Sequence, residues 1–168
     1  MQAELKAVDT IYSTGSAFAA KLIDGSVVTW GHAYLGGDSR SLQAELKAVD
    51  TIYSNNSAFA AKLKNGSVVT WGDADDGGDS SSVQAELKAV DTIYSTYRAF
   101  AAKLKNGTVV TWGNSDDGGD SSSVRAKLKK VDMIYSTEYH AFAAKLKDGS
   151  VVTWGGNNHG GYDPEDDS

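Results

Sequence analysis

The chain contains no cysteine in its 168 residues. That excludes disulfides, thiol nucleophiles and thiolate metal sites. No apolar run approaches the roughly 18 residues that a membrane-spanning helix needs. The opening Met1-Gln2-Ala3-Glu4-Leu5 has neither a basic stretch nor an apolar core, so no export signal is expected and a cytoplasmic setting is the default. Positive charge is in deficit: Lys+Arg 16 against Asp+Glu 22 gives −6, a balance that repels phosphate backbones and argues against nucleic acid. Histidine is scarce, with His32, His140 and His159 in three different loop contexts, and lone surface histidines do not make a metal cluster. An apolar fraction of 40% and a charged fraction of 23% fit a soluble globular chain.

What the chain has instead is repetition. Trp30, Trp71, Trp112 and Trp154 each close the phrase A-F-A-A-K-L-x-[D/N]-G-[S/T]-V-V-T-W-G, at spacings of 41, 41 and 42 residues. Self-similarity at this period marks propellers and solenoids, whose unit cannot bury its own apolar face and must stack on a neighbour. The units run approximately 2–42, 43–83, 84–124 and 125–168.

In the third unit, Ala99 to Leu104 and Thr108 to Trp112 are two short runs joined by Lys105-Asn106-Gly107. Asp24-Gly25, Asn65-Gly66, Asn106-Gly107 and Asp148-Gly149 are strong hairpin signals. Period-2 counting puts Phe100, Ala102 and Leu104 on one face and Ala99, Ala101 and Lys103 on the other, where small alanines admit a close neighbour. The preceding segment reads two ways. Val83, Leu87, Val90 and Tyr94 form a helical stripe, with Ser81 and Gln84 as a capping box. Asp91-Thr92-Ile93-Tyr94-Ser95-Thr96 is rich in β-formers, which favours a short helix or turn over Ser82 to Ala89 followed by a strand over Val90 to Ser95. After each tryptophan comes a loop full of turn formers, such as Gly72-Asp73-Ala74-Asp75-Asp76-Gly77-Gly78-Asp79-Ser80.

The Gln-Ala-Glu-Leu-Lys-Ala-Val segment at Gln2 recurs at Gln43 and Gln84, while the last unit runs out at Gly160-Gly161-Tyr162-Asp163-Pro164 where that segment would come next. Residues 2–8 can therefore complete the fourth unit, the phase expected of a ring fastened by its own N-terminal segment. The tail Asp163 to Ser168 reads as a solvated end.

Ala20-Lys21-Leu22-Ile23-Asp24-Gly25-Ser26-Val27-Val28-Thr29-Trp30-Gly31 followed by Gly36-Gly37, with Val8, Ile11 and Thr14 upstream, resembles the blade repeat of the regulator-of-chromosome-condensation family of β-propellers. The resemblance covers essentially the whole chain. It differs from the family in having four short repeats rather than the usual seven longer ones, in a leucine one place nearer the Asp-Gly, and in Ala17-Phe18 where the family carries a histidine. The near-identity of the copies points to recent amplification or deliberate consensus construction. The residues that the family uses for guanine-nucleotide exchange on a small GTPase have no match here.

The expected fold is thus an all-β, β-propeller-like closed toroid of four ~41-residue units, each a three- to four-stranded meander with a short helix or turn in the return segment. A single ring is the first expectation and a homodimer pooling eight units the alternative. The tryptophans are expected to pack between units rather than to form a stacking platform.

No catalytic constellation emerges. Serine and aspartate never stand in a repeat-invariant relation to histidine, and the Gly-Gly pairs lack a phosphate-binding fingerprint. Asp73, Asp75, Asp79 and Asp120 are weak metal candidates, because Gly77 occupies the position of the third calcium ligand. No cofactor is implied. The expected function is a non-enzymatic structural or binding scaffold, with a calcium- or carbohydrate-binding propeller as the alternative; a protein partner or self-association fits either. The copies differ mainly in two windows, the loop between the first and second strands and the loop after Trp-Gly. An up-and-down meander puts both windows at one end. The bulky or cationic residues there, His32, Tyr34, Leu35, Tyr97, Arg98, Tyr139 and His140, form the expected binding rim.

Overall fold

The computed structural model describes residues 5–156. The strands are β1 (Val8–Ser13), β2 (Ala17–Leu22), β3 (Val27–Gly31), β4 (Val49–Ser54), β5 (Ala58–Leu63), β6 (Val68–Gly72), β7 (Val90–Ser95), β8 (Ala99–Leu104), β9 (Val109–Gly113), β10 (Val131–Ser136), β11 (Ala141–Leu146) and β12 (Val151–Gly155). They form four antiparallel three-stranded sheets, one per unit, each in sequential order. The segment Val90–Ser95 is a strand preceded by turns over 81–86, and in the first and fourth units the same segment forms single 3-10 turns at Arg40–Leu42 and Arg125–Lys127.

The reason lies in the return segment. Residues 81–86 are turns closed by short-range bonds such as Val83 N–H to the Ser80 carbonyl at 3.0 Å and Glu86 N–H to the Val83 carbonyl at 2.9 Å. Ala89 then sits at φ 52°, a left-handed conformation that ends any right-handed helix. The apparent stripe arises because Leu87 and Val90 both turn into the core. The capping box is replaced too: Ser80, not Ser81, bonds Gln84, at 2.9 Å, and Gln84 donates on to the Val68 carbonyl.

Each hairpin turn uses its Asx residue and its glycine differently. The Asp24, Asn65, Asn106 and Asp148 side chains accept the N–H two residues on, at 2.9–3.0 Å. The glycines take φ of 84° to 89°. Three of them also meet the next unit: the Gly66 carbonyl accepts from Val90 N–H at 3.0 Å, and a Cβ on Gly66 would lie 3.0 Å from the Ala89 Cα. The chain crosses itself here backbone on backbone.

Packing follows the parity of the middle strand. Phe100 and Ala102 on β8 join Val110 and Trp112 of their own sheet and Ala58, Ala60 and Val68 of the preceding unit in one core cluster. Ala99 and Ala101, on the opposite face of β8, join the cluster of the following unit around Phe142 and Trp154. The first junction repeats the arrangement with Ala17, Ala19 and Val27 against Phe59 and Trp71. Every unit thus offers a small face forward and a bulky face back.

The tryptophans lock the junctions. Phe59, Phe100 and Phe142 stack on the tryptophan paired to them across the hairpin, at 5.2–5.4 Å. The indole N–H of Trp71, Trp112 and Trp154 donates to the carbonyl of Gly36, Gly77 and Gly118 in the unit before, each at 3.1 Å. Those glycines are the first of each Gly-Gly pair, with φ near +100°, and they lie flat on the next unit's phenylalanine. The second glycine packs against the carbonyl of its own Trp-Gly turn. The pairs serve the junctions.

Among the described residues the fourth junction shows none of these contacts. Gly149 has open space where Gly25, Gly66 and Gly107 meet a neighbouring backbone. The expected fastening by residues 2–8 falls partly on residues 2–4, which with 157–168, including His159, Tyr162 and the tail, lie outside the described residues.

A Cβ on Gly77 would sit 2.6 Å from the Phe100 ring at a φ of 104°, whereas one on Gly149, at φ 89°, meets nothing within 4 Å. Gly77→Ala is expected to cost about 1–2 kcal/mol for the left-handed backbone and about 1–3 more for displacing the ring. Gly149→Ala should show the first cost alone. Denaturant midpoints check this, and equal losses at the two sites would contradict the junction.

Candidate binding rim

The two variable windows meet at one end of every unit described in full. Thr14 Oγ1 donates to the Leu35 carbonyl at 3.1 Å, Asn55 Nδ2 to the Asp76 carbonyl at 2.7 Å and Thr96 Oγ1 to the Asp117 carbonyl at 2.7 Å. The Asx-Gly turns stand at the other end of the second and third strands. A second set of bonds runs from unit to unit along the same loops: Gly15 N–H to the Asn56 carbonyl at 2.9 Å, Asn56 N–H to the Tyr97 carbonyl at 3.1 Å, and Tyr97 N–H to the Tyr139 carbonyl at 3.3 Å. The loops are therefore fixed by backbone pairing as well as by their own turns.

Of the seven expected rim residues, four come together. The rings of Tyr97 and Tyr139 lie 5.6 Å apart and tilted, and Tyr139 lies 5.9 Å from the His140 ring. Both tyrosines remain substantially exposed. Beneath them Asp117 is fully buried. Arg98 Nε donates to its Oδ2 at 2.8 Å, while His140 Nδ1 lies 2.5 Å from its Oδ1. The carboxylate holds the Arg98 guanidinium further above its already high ordinary value. Arg98 and His140 thus spend polar atoms on one buried acceptor, which orders the loops of the third and fourth units.

The other three stand apart. His32 and Tyr34 are exposed in the first unit's return loop, Leu35 is half-buried, and no ring contact or ion pair joins them to the tyrosine cluster among the described residues. Tyr34 borders a groove of about 530 Å³ with Leu42 and Trp71, between the first two units.

Asp117, the buried acceptor of this cluster, is not among the expected rim residues. The signal was faint but present: the fourth residue after Trp-Gly is Leu35 in the first unit and Asp76 and Asp117 in the next two. Arg98 and His140 replace Ser16 and Ser57 in the facing loop.

The weak metal candidates are differently engaged. Asp73 Oδ1 accepts the Asp75 N–H at 3.0 Å, Asp79 the Ser81 N–H and Asp120 the Ser122 N–H, both at 2.9 Å. The Ser81 and Ser122 side chains and N–H groups hold the Asp79 and Asp120 carboxyls below the ordinary range. Among the described residues no three acidic or histidine groups converge on a metal-sized site. A further groove of about 420 Å³ between the second and third units is lined by Asp75, Glu86, Thr111 and Arg125. Its one tryptophan, Trp112, is buried, so it offers no open ring to a sugar.

No family model matches this chain, and no curated protein resembles it in sequence. Its fold does have likenesses. The yeast RCC1 protein Prp20 matches in two crystal structures, one bound to Kap60 and one described with its binding to Gsp1p and histones. The TM-scores are 0.61 and 0.57 at 18% and 20% identity, over 90% and 92% of this chain and 44% and 45% of Prp20. The CRINKLY WD40 ectodomain of the Arabidopsis thaliana receptor kinase ACR4 matches with TM-score 0.58 and 14% identity, over 88% of this chain and 52% of that one. The fold is that of an RCC1-like β-propeller. The chain spans about half the length of these structures. A weaker likeness, TM-score 0.46 at 14% identity, is to the computationally designed protein Ika4, over 90% of this chain and 92% of that one.

Asp76, the second unit's counterpart of Asp117, offers a pH test. Burial raises its carboxyl above the ordinary 3.8, opposed by a hydrogen bond from Ser57. A carboxyl whose folded pKa exceeds its unfolded one costs no stability below the unfolded value, and the cost develops as pH rises through the folded value. Asp76→Asn should therefore melt above the parent at pH 7, with the gap closing on acidification towards pH 3. A gap that widens on acidification would show that the carboxylate is stabilised rather than penalised.

Proposed function

We propose that this chain is a non-enzymatic binding scaffold that presents the Tyr97, Arg98, Tyr139 and His140 cluster to a protein partner. One observation supports the reading above the rest. The sheets are nearly identical in sequence, yet two adjacent loops carry large aromatic side chains that the chain leaves exposed while anchoring their neighbours on buried Asp117. Exposed aromatic residues on a rigid base bury much area at small entropic cost, which is how interface anchors work. The net charge of −6 disfavours a nucleic-acid partner. Prp20 is a propeller with protein partners, and that precedent fits the class of ligand, although at 18–20% identity it fixes no residue of the interface.

The test is selection of a displayed random-peptide library on the immobilised chain. Enriched peptides are expected to lose about tenfold in affinity, close to 1.4 kcal/mol, on Tyr97→Ala or Tyr139→Ala. Lys64→Ala, at the hairpin end, should leave them unchanged. Binders indifferent to both tyrosines, with circular dichroism showing all variants folded, would overturn the assignment.

A further inference from the structure

The two ends of the stack are halves of an interface that the chain already makes three times. On the bulky face of the first unit, Ile11 is 54% exposed, whereas its equivalents Ile52, Ile93 and Ile134 are 2–3% exposed. Phe18, 45% exposed, replaces buried Phe59, Phe100 and Phe142. Trp30 has the same stacked phenylalanine as the other tryptophans, but its indole N–H has no carbonyl partner among the described residues.

The small face of the fourth unit is bare in the complementary way. Val151 is 56% exposed, against 1–5% for Val27, Val68 and Val109. Tyr135 is exposed, where Tyr12, Tyr53 and Tyr94 pack on the following unit's core. Lys21, Lys62 and Lys103 donate at 2.8–3.1 Å to the carbonyls of Asp50, Asp91 and Asp132 in the next unit, and each also pairs with its own unit's aspartate. Among the described residues Lys145 shows the second kind of contact alone, to Asp132 at 3.4 Å. Gly149 lacks the neighbouring backbone that its three equivalents touch.

Each bare group on one end has its partner type on the other: Val151 and Tyr135 for Ile11 and Phe18, Lys145 for the Asp9 carbonyl, the Gly149 carbonyl for Val8 N–H. We propose that two copies of this chain join head to tail, the fourth unit of each on the first unit of the other, into one ring of eight sheets. The occupant is a second copy because only this repeat carries the matching face, already complementary at three internal junctions. Two copies suffice because four sheets superpose on about half of a propeller chain, 44–52% of the structures matched. Such a contact is heterologous, and it closes only if the rotation per unit completes a circle.

The experiment is the solution mass of the full chain by light scattering across concentration. Twice the chain mass of 17.7 kDa is expected. Ile11→Glu and Val151→Glu each spoil one of the two faces, and since both junctions of the ring use both faces, each variant alone should run as a single chain. Mixed in equal amounts, they should recover a two-chain species, because the Val151→Glu copy keeps an intact first face and the Ile11→Glu copy an intact last face. A symmetric face-to-face dimer uses one face twice, so one of the two variants would stay a two-chain species by itself, and that result would overturn the head-to-tail arrangement. A parent mass of one chain at all concentrations would overturn association itself. A ladder of higher masses would overturn the two-copy ring.

Discussion

A sheet whose two faces differ in size cannot bury either by itself. In this protein the middle strand alternates alanine with phenylalanine or leucine, so one face of every sheet is shallow and the other deep. Only the shallow face of the unit before can approach the deep face of the unit after. Aligned apolar burial at about 25 cal/mol per Å² drives the approach, and the alanines allow it to reach van der Waals contact. The tryptophan indole bonded to a glycine carbonyl then fixes the angle, because a buried N–H left without an acceptor would cost about 1–3 kcal/mol. Hairpin turns, Gly-Gly pairs and left-handed Ala48, Ala89 and Lys130 all serve this junction.

The loops follow from the same constraint. With sheets held at fixed separation, the loops at one end come close enough to bond one another, and the inner backbone bonds from Gly15 to Asn56, Tyr97 and Tyr139 are the result. Variation is tolerated there because the loops carry little of the apolar burial. The third and fourth units use that freedom to place two tyrosines over a buried aspartate. In the second unit, Asn55, Ser57 and Asp76 occupy the same layer with smaller groups.

Local features were readable in the sequence. The Asx-Gly hairpins, the strand Ala99–Leu104, the strand Val90–Ser95 and the inward face of the tryptophans follow from turn chemistry and from two-residue alternation, both of which act over a few residues. The return segment was readable as a turn followed by the strand Val90–Ser95, and the competing helical stripe fails because Leu87 and Val90 enter the core from a turn and a strand rather than from one helical face. The partners of Arg98 and His140 were not readable, since Asp117 lies 19 and 23 residues away.

Sequence by itself determined the unit, its strands and the alternation that makes stacking obligatory, because these depend on neighbours along the chain. Tertiary structure decided what the glycine pairs are for, which rim residues meet, and which faces remain bare. Those depend on residues brought together from different units. A unit repeated four times looks the same at every copy, so the difference between an inner copy and an end copy exists only in space.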